Sequence, residues 1–573
     1  MRYFVLATDY DGTLARLGHV EPSVWEAIRR LRESGRKAIM VTGRELEDLQ
    51  AICPHLDLFE RVVAENGALI FRPATKEVQT LSEPPPPEFA ARLKALGVAP
   101  LSAGHVIVAT VKPYETAVLK TINELGLELQ VIFNQESVMV LPSGVNKATG
   151  LVAALKDLGY SPHNTVAIGD AENDHALLSV CECGVAVGNG VPALKERADW
   201  VTRGAEGAAV VELIERVLAD ELEAANARLG RHNILLGAAP DGREERIPPY
   251  GKNLLVAGTS GSGKATVVAG LLERLADAKY QYILIDPEGR FPQLPASVVL
   301  GSAQQAPVMQ ELPPLVKGGR NVVINLAAMP LADRPGFFDP LFSRLMDMRG
   351  RTGRPHWIVV DEAHHLTPTN WAKDKVPARL HDIALVTVHP GRVSPTMLQA
   401  VDLVLAVGQE PAKTLSEFFG AAGTVAPALE SAVLAPGEAL AFWVKERRGP
   451  YKLVPTLPRG ERQRHRRKYV DGRLPDDRVF VFYGPERKLK LRAYNLTTFL
   501  ELAAGVDDGT WLYHLRAREY SKWFREGIQD DELAREIERI ELKHANDAVA
   551  SLDAVHKVVQ ERYSLPLAQT AGS

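Results

Sequence analysis

Near its N-terminus the chain has a short apolar run, residues 3–7, that leads directly into the acidic loop TDYDGTL. An apolar run followed by acid, turn and glycine is typical of a buried parallel strand that ends in a loop. Asp9 and Asp11 would then stand two residues apart at a strand tip, where like charges repel each other and bulk water is scarce. A divalent cation would remove that repulsion, and carboxylates suit Mg²⁺. The alternative is a turn in which both aspartates cap the following segment.

Two further apolar runs end in groups that suit a phosphate site. The run KAIMV leads to Thr42, whose hydroxyl precedes a glycine and a helix start and is well placed to hold a phosphoryl oxygen. An ordinary strand-to-helix turn is the alternative there. The run TVAI leads to GDAEND, which carries Asp170 and Asp174. Because the tips of parallel strands share one edge of a sheet, we expect these groups to converge with the acidic loop.

Lys147 stands at the start of a helical pattern that runs to residue 158. A lysine at that position opposes the preference of the helix dipole for acids in the first turn. Lys147 is therefore a candidate for meeting an anion, with a solvated surface lysine as the alternative.

Taken in order, these motifs resemble the haloacid dehalogenase (HAD) superfamily of phosphatases. The resemblance is carried by DxDGT from Asp9, TGR from Thr42, Lys147, and GDxxND from Gly169. The supporting stretch ENGA, residues 65–68, is similar to the Cof-type and sucrose-phosphatase-like class. The resemblance implies a Rossmann-like α/β core over residues 1–82 and 142–220, with an α+β cap over residues 83–141.

The resemblance also implies a role for each motif residue. Asp9 would be the nucleophile that forms an aspartyl-phosphate, and Asp11 the acid that protonates the leaving oxygen and then the base for water. Thr42 and Lys147 would bind the transferring phosphoryl group. The implied holders of Mg²⁺ are Asp9, the Asp11 backbone carbonyl and Asp170, with Asp174 supporting the site. The implied function is Mg²⁺-dependent hydrolysis of a phosphomonoester.

The predicted cap opens with four consecutive prolines, residues 84–87, which form a stiff spacer. The patterns that follow predict strands at 106–111, 128–133 and 138–141 and a helix at 114–125. A cap closes over the substrate and excludes water. The cap would choose the leaving group, and the sequence does not give that choice. We predict a small phosphorylated substrate, such as a phosphosugar.

A glycine-rich loop marks a second predicted domain, residues 231–458. A strand pattern at 253–257 leads into GTSGSGKAT, and a helical pattern follows at 267–276. A strand, a glycine loop, a lysine and a helix form a Walker A phosphate cradle, whereas a flexible Gly/Ser linker is the alternative. The predicted ATP-binding residues are Gly258, Ser260, Gly261, Ser262, Gly263, Lys264, Ala265 and Thr266. Ala265 stands where Ser or Thr normally ligates Mg²⁺, so the loop supports ATP binding more directly than hydrolysis.

A second acidic pair follows the buried-strand pattern at 356–360. Asp361 is predicted to bind Mg²⁺ and Glu362 to orient the attacking water, as in a Walker B motif. The arrangement resembles the HerA/FtsK-type ATPases, which implies a RecA-like P-loop fold, a homo-oligomeric ring that translocates DNA, and an arginine that reaches across the subunit boundary. The candidates for that arginine are Arg349, Arg351, Arg354 and Arg392. His389 stands near the position where that family commonly has a sensor glutamine, so the sensor role is open.

The remaining chain divides into a basic linker and an accessory α+β domain. Residues 459–469 are the linker, and their Lys and Arg side chains could neutralise DNA phosphates, with a plain exposed connector as the alternative. Residues 470–573 are the accessory domain, with a predicted hairpin followed by helices at 497–504, 510–526 and 530–558. Its aromatic side chains are interpreted as core rather than as a base-stacking platform: Trp511, Tyr513, Tyr520, Trp523 and Phe524.

Composition limits the remaining choices. The 573 residues carry a formal net charge of -4, which argues against a whole-chain field that attracts nucleic acid. Apolar runs long enough to span a bilayer and a secretory leader are both missing from the sequence, so we expect a cytoplasmic protein with no membrane association. The three cysteines suggest neither a zinc site nor a disulfide framework.

Three functions remain open for the whole chain. The first is a small-molecule phosphatase fused to an ATP-binding, ATP-hydrolysing domain. The second is a nucleic-acid-processing enzyme, either a DNA-translocating ATPase with an end-trimming phosphatase or a protein similar to polynucleotide kinase-phosphatases. The third is a phosphatase whose second domain is a degenerate nucleotide-binding scaffold.

Overall fold

The computed structural model describes residues 1–134, 136–291, 294, 296–371, 380–427, 433–459, 474, 478–487, 489–528 and 530–563. The chain separates into two compact units, Met1–Thr456 and Leu457–Ser573. Among the helices in these described ranges, none combines the length and the apolar character needed to cross a bilayer.

The first sheet has eight strands. Its strands are β1 (Val5–Thr8), β2 (Lys37–Val41), β3 (Arg61–Ala64), β4 (Leu69–Arg72), β5 (Glu77–Thr80), β10 (Thr165–Gly169), β11 (Cys183–Ala186) and β12 (Trp200–Val201). Strands β6 to β9 form a separate sheet, described below. The spatial order is β12-β11-β10-β1-β2-β3-β4-β5, parallel from β12 to β3 and antiparallel from β3 to β5. The accompanying helices are Pro22–Glu33, Leu46–Ile52, Lys147–Leu158, His175–Val180, Pro192–Arg197 and Glu206–Asp220.

The central strands of this sheet are apolar on both faces because helices cover both. Along β1, Leu6 packs into the core cluster on one face, whereas Val5 and Ala7 pack into the cluster on the other. Strands β10, β1 and β2 are direct neighbours, and they run parallel. Their carboxyl ends therefore meet at one edge, as the sequence predicts.

The segment between β5 and the helix Lys147–Leu158 forms a separate antiparallel sheet. Its strands are β6 (Leu101–Ala103), β7 (Val108–Val111), β8 (Leu129–Asn134) and β9 (Ser137–Pro142), in the order β6-β7-β9-β8. Helices Pro87–Ala95 and Glu115–Glu124 pack on it through a small apolar core that includes Phe89 and Val118. The alternating patterns predict β7, β8 and β9 to within about two residues; they miss β6 and the helix after the prolines.

The second sheet has eleven strands. They are β13 (Ile234–Ala238), β14 (Glu244–Ile247), β15 (Leu254–Gly258), β16 (Tyr282–Asp286), β17 (Ser297–Leu300), β18 (Asn321–Asn325), β19 (Trp357–Val360), β20 (Ile383–Thr387), β21 (Leu403–Val407), β22 (Ala439–Trp443) and β23 (Arg448–Pro455). Their order is β14-β13-β23-β22-β21-β15-β20-β19-β16-β18-β17, parallel from β21 to β17. The accompanying helices are Lys264–Asp277, Leu312–Lys317, Arg334–Thr352, Ala363–Leu366, Pro395–Gln399 and Pro411–Ala422. This is a mixed α/β arrangement, and its RecA-like assignment stays a prediction.

A buried polar cluster around Glu182 lies between the first sheet with its helices and the second sheet with its helices. Its carboxylate accepts hydrogen bonds from the Arg2 guanidinium at 2.8 Å and from the Tyr280 hydroxyl at 2.6 Å. The His163 ring lies between the layers, with Nδ1 2.9 Å from Glu182 and Nε2 2.8 Å from the Ala278 carbonyl oxygen. Both ring nitrogens of His163 therefore lie within hydrogen-bond distance of an oxygen, one on each side of the ring.

Glu182→Gln should destabilise the protein most near neutral pH. Burial alone would raise the pKa of Glu182, but the hydrogen bond from His163 and the charges of the nearby histidines and Arg2 lower it well below the ordinary 4.5. A lowered carboxyl pKa contributes stability that is present above the unfolded value and is lost as pH falls through the folded value. Removing one partner of a buried ion pair costs about 3–5 kcal/mol, so we expect a clearly lower Tm for the variant at about pH 7.

Thermal unfolding at a series of pH values tests this expectation. The Tm gap between wild type and Glu182→Gln should narrow as pH falls below about 4.5. Glu196→Gln, at an exposed position of the same region, is the matched control and should leave the Tm unchanged. A gap that does not depend on pH would contradict the assignment of the stability to the ionised carboxylate.

The C-terminal unit is a hairpin followed by helices. The strands are β24 (Phe480–Phe482) and β25 (Leu491–Ala493), and the helices are Leu496–Gly505, Asp508–Arg516, Glu519–Glu526, Asp531–Lys543 and Ala548–Tyr563. The prediction of single helices at 510–526 and 530–558 is wrong, because each is two helices. Arg518 interrupts the first with a φ of 54°, and the segment after Lys543 interrupts the second.

The aromatic side chains of this unit form its core. Trp511, Tyr520, Trp523 and Phe524 are buried, whereas Tyr513 is only half-buried. The predicted linker, residues 459–469, lies outside the described residues except for Arg459.

Candidate active site

Three strand tips and one helix start meet at the carboxyl edge of the first sheet. Asp9 follows β1, Thr42 follows β2 and Asp170 follows β10, and these three side chains are buried. Lys147 is the first residue of its helix, which Asn146 caps by accepting a hydrogen bond from the Thr149 amide. The helix start thus delivers the lysine to the acidic edge.

The Lys147 ammonium is the cation at the centre of this edge. It is 1% exposed, and its Nζ donates to Asp9 Oδ1 and to Asp174 Oδ1, each at 2.7 Å. Two carboxylates at hydrogen-bond distance compensate the cost of burying the ammonium and of placing it against the helix dipole. The alternative of a solvated surface lysine is therefore wrong.

The carboxylates of Asp9, Asp170 and Asp174 form a compact buried cluster. One oxygen from each lies within 4.8 Å of the others. Burial and the neighbouring Asp174 carboxylate raise the pKa of Asp170 to about 6, and burial also raises the pKa of Asp9 well above its usual range, against the lowering effect of Lys147. The arrangement holds more negative charge than one lysine balances.

A small hard cation fits this cluster. The donor set is carboxylate oxygen, which Mg²⁺ prefers. Gly12 approaches so closely that a Cβ there would lie 2.3 Å from Asp170 Oδ2, and its φ of 74° also favours glycine. Thr13 Oγ1 donates to Asp170 Oδ1 at 2.9 Å, while the amides of Asp170 and Ala171 donate to Asp174 Oδ2. These contacts orient the carboxylates toward a common point.

Comparison with known proteins identifies the family of this region. A family model described as haloacid dehalogenase-like hydrolase matches residues 6–95 and 103–214. Phosphoglycolate phosphatase 2 of Saccharolobus solfataricus is 31% identical over 220 residues, which are 37% of this chain and 92% of that protein. The N-terminal region belongs to the HAD superfamily. This region, matched from residue 6 to residue 214, is a HAD phosphatase-like hydrolase domain and is here called the HAD domain.

Other relatives match the same region. Phosphoglycolate phosphatase of Methanothermobacter thermautotrophicus is 29% identical over 218 residues, covering 37% of this chain and 98% of that protein. Among solved structures, a haloacid dehalogenase-like hydrolase from Bacteroides thetaiotaomicron is 20% identical, with a TM-score of 0.34 and coverage of 38% of this chain and 99% of that one. These matches extend over the HAD domain.

Asp11 in the HAD domain has a partner that the motif reading did not assign. Arg44 Nε donates to Asp11 Oδ2 at 2.6 Å and Arg44 Nη2 donates to Asp11 Oδ1 at 2.8 Å, so both carboxylate oxygens are paired. The Asp11 side chain is 43% exposed, unlike that of Asp9. Arg44 is the third residue of TGR, so the motif itself carried the signal. Thr42 lies alongside, 1% exposed, and its Oγ1 accepts from the Arg44 amide at 3.2 Å.

The glycine-rich loop forms a second polar site at the carboxyl edge of the second sheet. The helix begins at Lys264, three residues earlier than predicted, directly after the loop and with Gly263 at a φ of 93°. Lys264 Nζ donates to the carbonyl oxygens of Gly258 and Thr259, both at 2.9 Å. The lysine thus folds back on its own loop. Ala265 is exposed on the first helical turn.

Asp361 and Glu362 follow β19, which is separated from the strand of the glycine loop by β20 alone. Burial and the carboxylates of Glu362 and Asp286 raise the pKa of Asp361 to about 7. The Glu362 backbone is left-handed, with a φ of 44°. Arg290 Nη1, which sequence reasoning did not single out, donates to Glu362 Oε1 at 2.8 Å. One oxygen each of Asp361 and Glu362 is buried without a hydrogen-bond partner among the described residues.

Three of the four candidate arginines have internal partners. Arg349 is buried and donates to the carbonyl oxygens of Pro355 and His381 at 2.9 and 2.7 Å. Arg354 donates to the Tyr160 carbonyl oxygen at 2.9 Å. Reaching a neighbouring subunit would require either side chain to leave these bonds, and the arginine that crosses the boundary stays a prediction. Arg351 and Arg392 are exposed, and Arg351 Nε donates to Asp347 Oδ1 at 3.0 Å.

Proposed function

We propose that the HAD domain is a Mg²⁺-dependent phosphomonoesterase that acts through an aspartyl-phosphate on Asp9. The observation that carries the proposal is the placement of Lys147 between Asp9 and Asp174 beside a buried acidic cluster. If Lys147 formed only a structural salt bridge with Asp9 and Asp174, the third carboxylate, Asp170, would not be needed in the same space. A site for transferring a phosphoryl group needs a nucleophile, fixed positive charge and a cation position together.

The residues divide the chemistry among them. The Asp9 carboxylate would attack phosphorus, forming the new P–O bond as the bond to the leaving alcohol breaks. Lys147 would hold the charge that builds on the phosphoryl oxygens, and the Thr42 hydroxyl would donate to one of them. When bound by Asp9, the Asp11 backbone carbonyl, Asp170 and Asp174, Mg²⁺ would supply positive charge that neutralises the carboxylates and the phosphoryl group.

Asp11 would supply the proton for the leaving oxygen and then accept one from the attacking water. In the structure Arg44 pairs with both of its oxygens. For Asp11 to carry a proton to the leaving oxygen and later take one from water, one of those oxygens must first leave its bond to Arg44. We therefore infer that Arg44 holds Asp11 beside the site and that substrate entry displaces part of this pairing.

We propose a small phosphorylated acid or a phosphosugar as the substrate. Two relatives that match the whole HAD domain carry the name phosphoglycolate phosphatase, one of them at 31% identity. The test is a screen over phosphorylated acids, phosphosugars, nucleotides and DNA 3′- and 5′-phosphates with Mg²⁺, run with and without ATP. Turnover confined to DNA ends would overturn the small-substrate proposal in favour of nucleic-acid processing.

We further propose that the glycine-rich loop binds ATP. The supporting observation is a set of buried oxygens that lack a hydrogen bond among the described residues, one each from Ser262, Asp361 and Glu362, although Glu362 Oε2 lies 3.5 Å from His364 Nδ1. A helix start after a glycine loop offers amides to phosphate, and Lys264 would exchange its loop carbonyls for phosphate oxygens. Asp361 would hold Mg²⁺ and Glu362 would orient water.

Lys264→Ala should weaken ATP binding by about 10- to 100-fold, the range for losing a charged hydrogen-bond donor. Titration calorimetry with MgATP on the full chain measures it, and Ala265→Ser is the matched control because it restores the usual hydroxyl and should bind at least as tightly. Equal affinity of wild type and Lys264→Ala would contradict an ATP cradle. An ATPase assay on the same proteins decides between a working ATPase and a scaffold: Ala265→Ser should raise turnover.

DNA binding and a ring assembly stay predictions from the resemblance. Among the described residues, we find no contact that supports DNA binding or a ring assembly.

A further inference from the structure

Glu65 has an unusual environment for a carboxylate. It is 0% exposed, and it accepts three hydrogen bonds from consecutive main-chain amides of the cap. The amide of His105 donates to Oε1 at 2.8 Å, and the amides of Val106 and Ile107 donate to Oε2 at 2.7 and 2.9 Å. The acceptor belongs to the core and all three donors belong to the cap.

The surroundings of this contact are apolar and closely packed. Val106 and Ile107 pack with Ala68 of the core and with Met139 of cap strand β9 in one buried cluster. Gly104 allows the loop to approach, since a Cβ there would lie 2.6 Å from Glu65 Oε1. A buried carboxylate in such a setting depends on these amides, so a shift of the loop that breaks the bonds while water stays excluded leaves it without donors.

The segment that carries Glu65 also touches the active-site loops. Glu65 and Asn66 both have left-handed backbones, with φ of 50° and 54°. The Asn66 amide donates to the Thr42 carbonyl oxygen at 2.9 Å, and the Asn66 side chain accepts from Asn173 at 3.1 Å. Gly67 abuts the carbonyl of Asn146, where a Cβ would lie 2.0 Å from the oxygen. One short turn thus contacts the loops that carry Thr42, Lys147 and Asp174.

We propose that Glu65 is a positioning residue that fixes the cap against the phosphoryl site. By holding residues 105–107 it sets the place of β9, whose Met139 side chain lies against Gly43, between Thr42 and Arg44. The same turn therefore contacts both the cap and the loops that would bind phosphate. The proposal deepens the phosphatase function proposed above and rests on it for its catalytic consequence, but not for the contact itself.

Hydrogen exchange of the full chain, with Mg²⁺ present, tests the contact without any substrate. The Glu65→Gln side chain keeps only one oxygen that can accept. Its NH₂ group is a donor and would face a main-chain N–H, which is also a donor. We expect the amides of residues 105–107 to exchange at least about 10-fold faster than in wild type, while those of β10 and of the helix Lys147–Leu158 are unchanged. Glu47→Gln is the matched control, because Glu47 contacts the His105 ring at 2.9 Å from an exposed position, and it should leave these amides unchanged.

Gly104→Ala approaches the same contact from the cap side. Its methyl group would push the loop off the carboxylate without changing a core residue, so it should reproduce the local increase in exchange. Unchanged exchange at 105–107 in both variants would overturn the proposal. Faster exchange spread equally over the whole HAD domain would also overturn it, since that result describes general destabilisation.

Steady-state kinetics separate positioning from a purely structural role. With the best phosphomonoester from the screen, both variants should raise KM and lower kcat/KM by about 10-fold or more, while hydrolysis of acetyl phosphate, whose leaving group is small, should change by less than about threefold. Equal loss on both substrates would overturn the positioning role. If wild type hydrolyses neither compound but the local exchange effect is present, the phosphatase proposal fails and the cap contact stands.

Discussion

Asp9→Asn is expected to reduce phosphomonoester turnover by at least about 10⁴-fold, the scale seen when a covalent nucleophile is removed. The amide keeps the size of the side chain and can still contact Lys147, so the fold should survive. The side-chain amide of the variant cannot attack phosphorus to form the acyl phosphate. The loss should appear in kcat, since the remaining phosphate-binding groups, Lys147 and Thr42, are intact.

Turnover of an aryl phosphate with Mg²⁺ measures this effect against a matched control. Asp57→Asn changes an exposed aspartate of the same domain by the same chemistry and should keep wild-type activity. Wild-type turnover no higher than that of Asp9→Asn would contradict the assignment of the nucleophile. A phosphorylated wild-type protein trapped by rapid acid quench, and not found for the variant, would identify the intermediate directly.

Lys147→Met is expected to have the second largest effect, on stability as well as on activity. The ammonium is buried and bonded to Asp9 and Asp174 at 2.7 Å each, and Asp170 is near. Its removal leaves a buried acidic cluster without its cation, which should cost about 3–5 kcal/mol of unfolding free energy. Turnover should fall by about 10²- to 10³-fold or more, because a group that stabilises transition-state charge is lost.

Mg²⁺ should distinguish this mechanism from a simple packing defect. A cation that binds the cluster stabilises the folded state in proportion to RT ln(1 + [L]/Kd), so added Mg²⁺ should raise the Tm of Lys147→Met more than that of wild type. Lys156→Met, an exposed lysine on the same helix, is the control and should show neither effect. An equal rise in Tm with Mg²⁺ in all three proteins would contradict the expected coupling between Lys147 and a cation at the acidic cluster, and no rise in any of them would contradict the cation site itself.

Much of the HAD domain was predictable because its signals are local. Strands that are buried on both faces read as continuous apolar runs, and their tips must carry the polar groups. The edge that brings Asp9, Thr42 and Asp170 together therefore follows from strand order and direction. The helices of the C-terminal unit show the limit of such signals, since a backbone reversal at Arg518 leaves the apolar spacing intact and divides one predicted helix into two.

The sequence alone predicted a HAD phosphatase-like domain, through motifs that resemble that superfamily, and those motifs could be found because their residues lie at strand and helix ends. Only the tertiary structure paired Arg44 with Asp11, placed Arg290 on Glu362, and set Glu65 beneath the cap. Each of these contacts joins groups from different elements, so it depends on how the elements pack rather than on local spacing. The physical reason is packing: only the folded chain decides which partner lies within reach, and where the contact is buried, as at Glu65, a missing partner is costly.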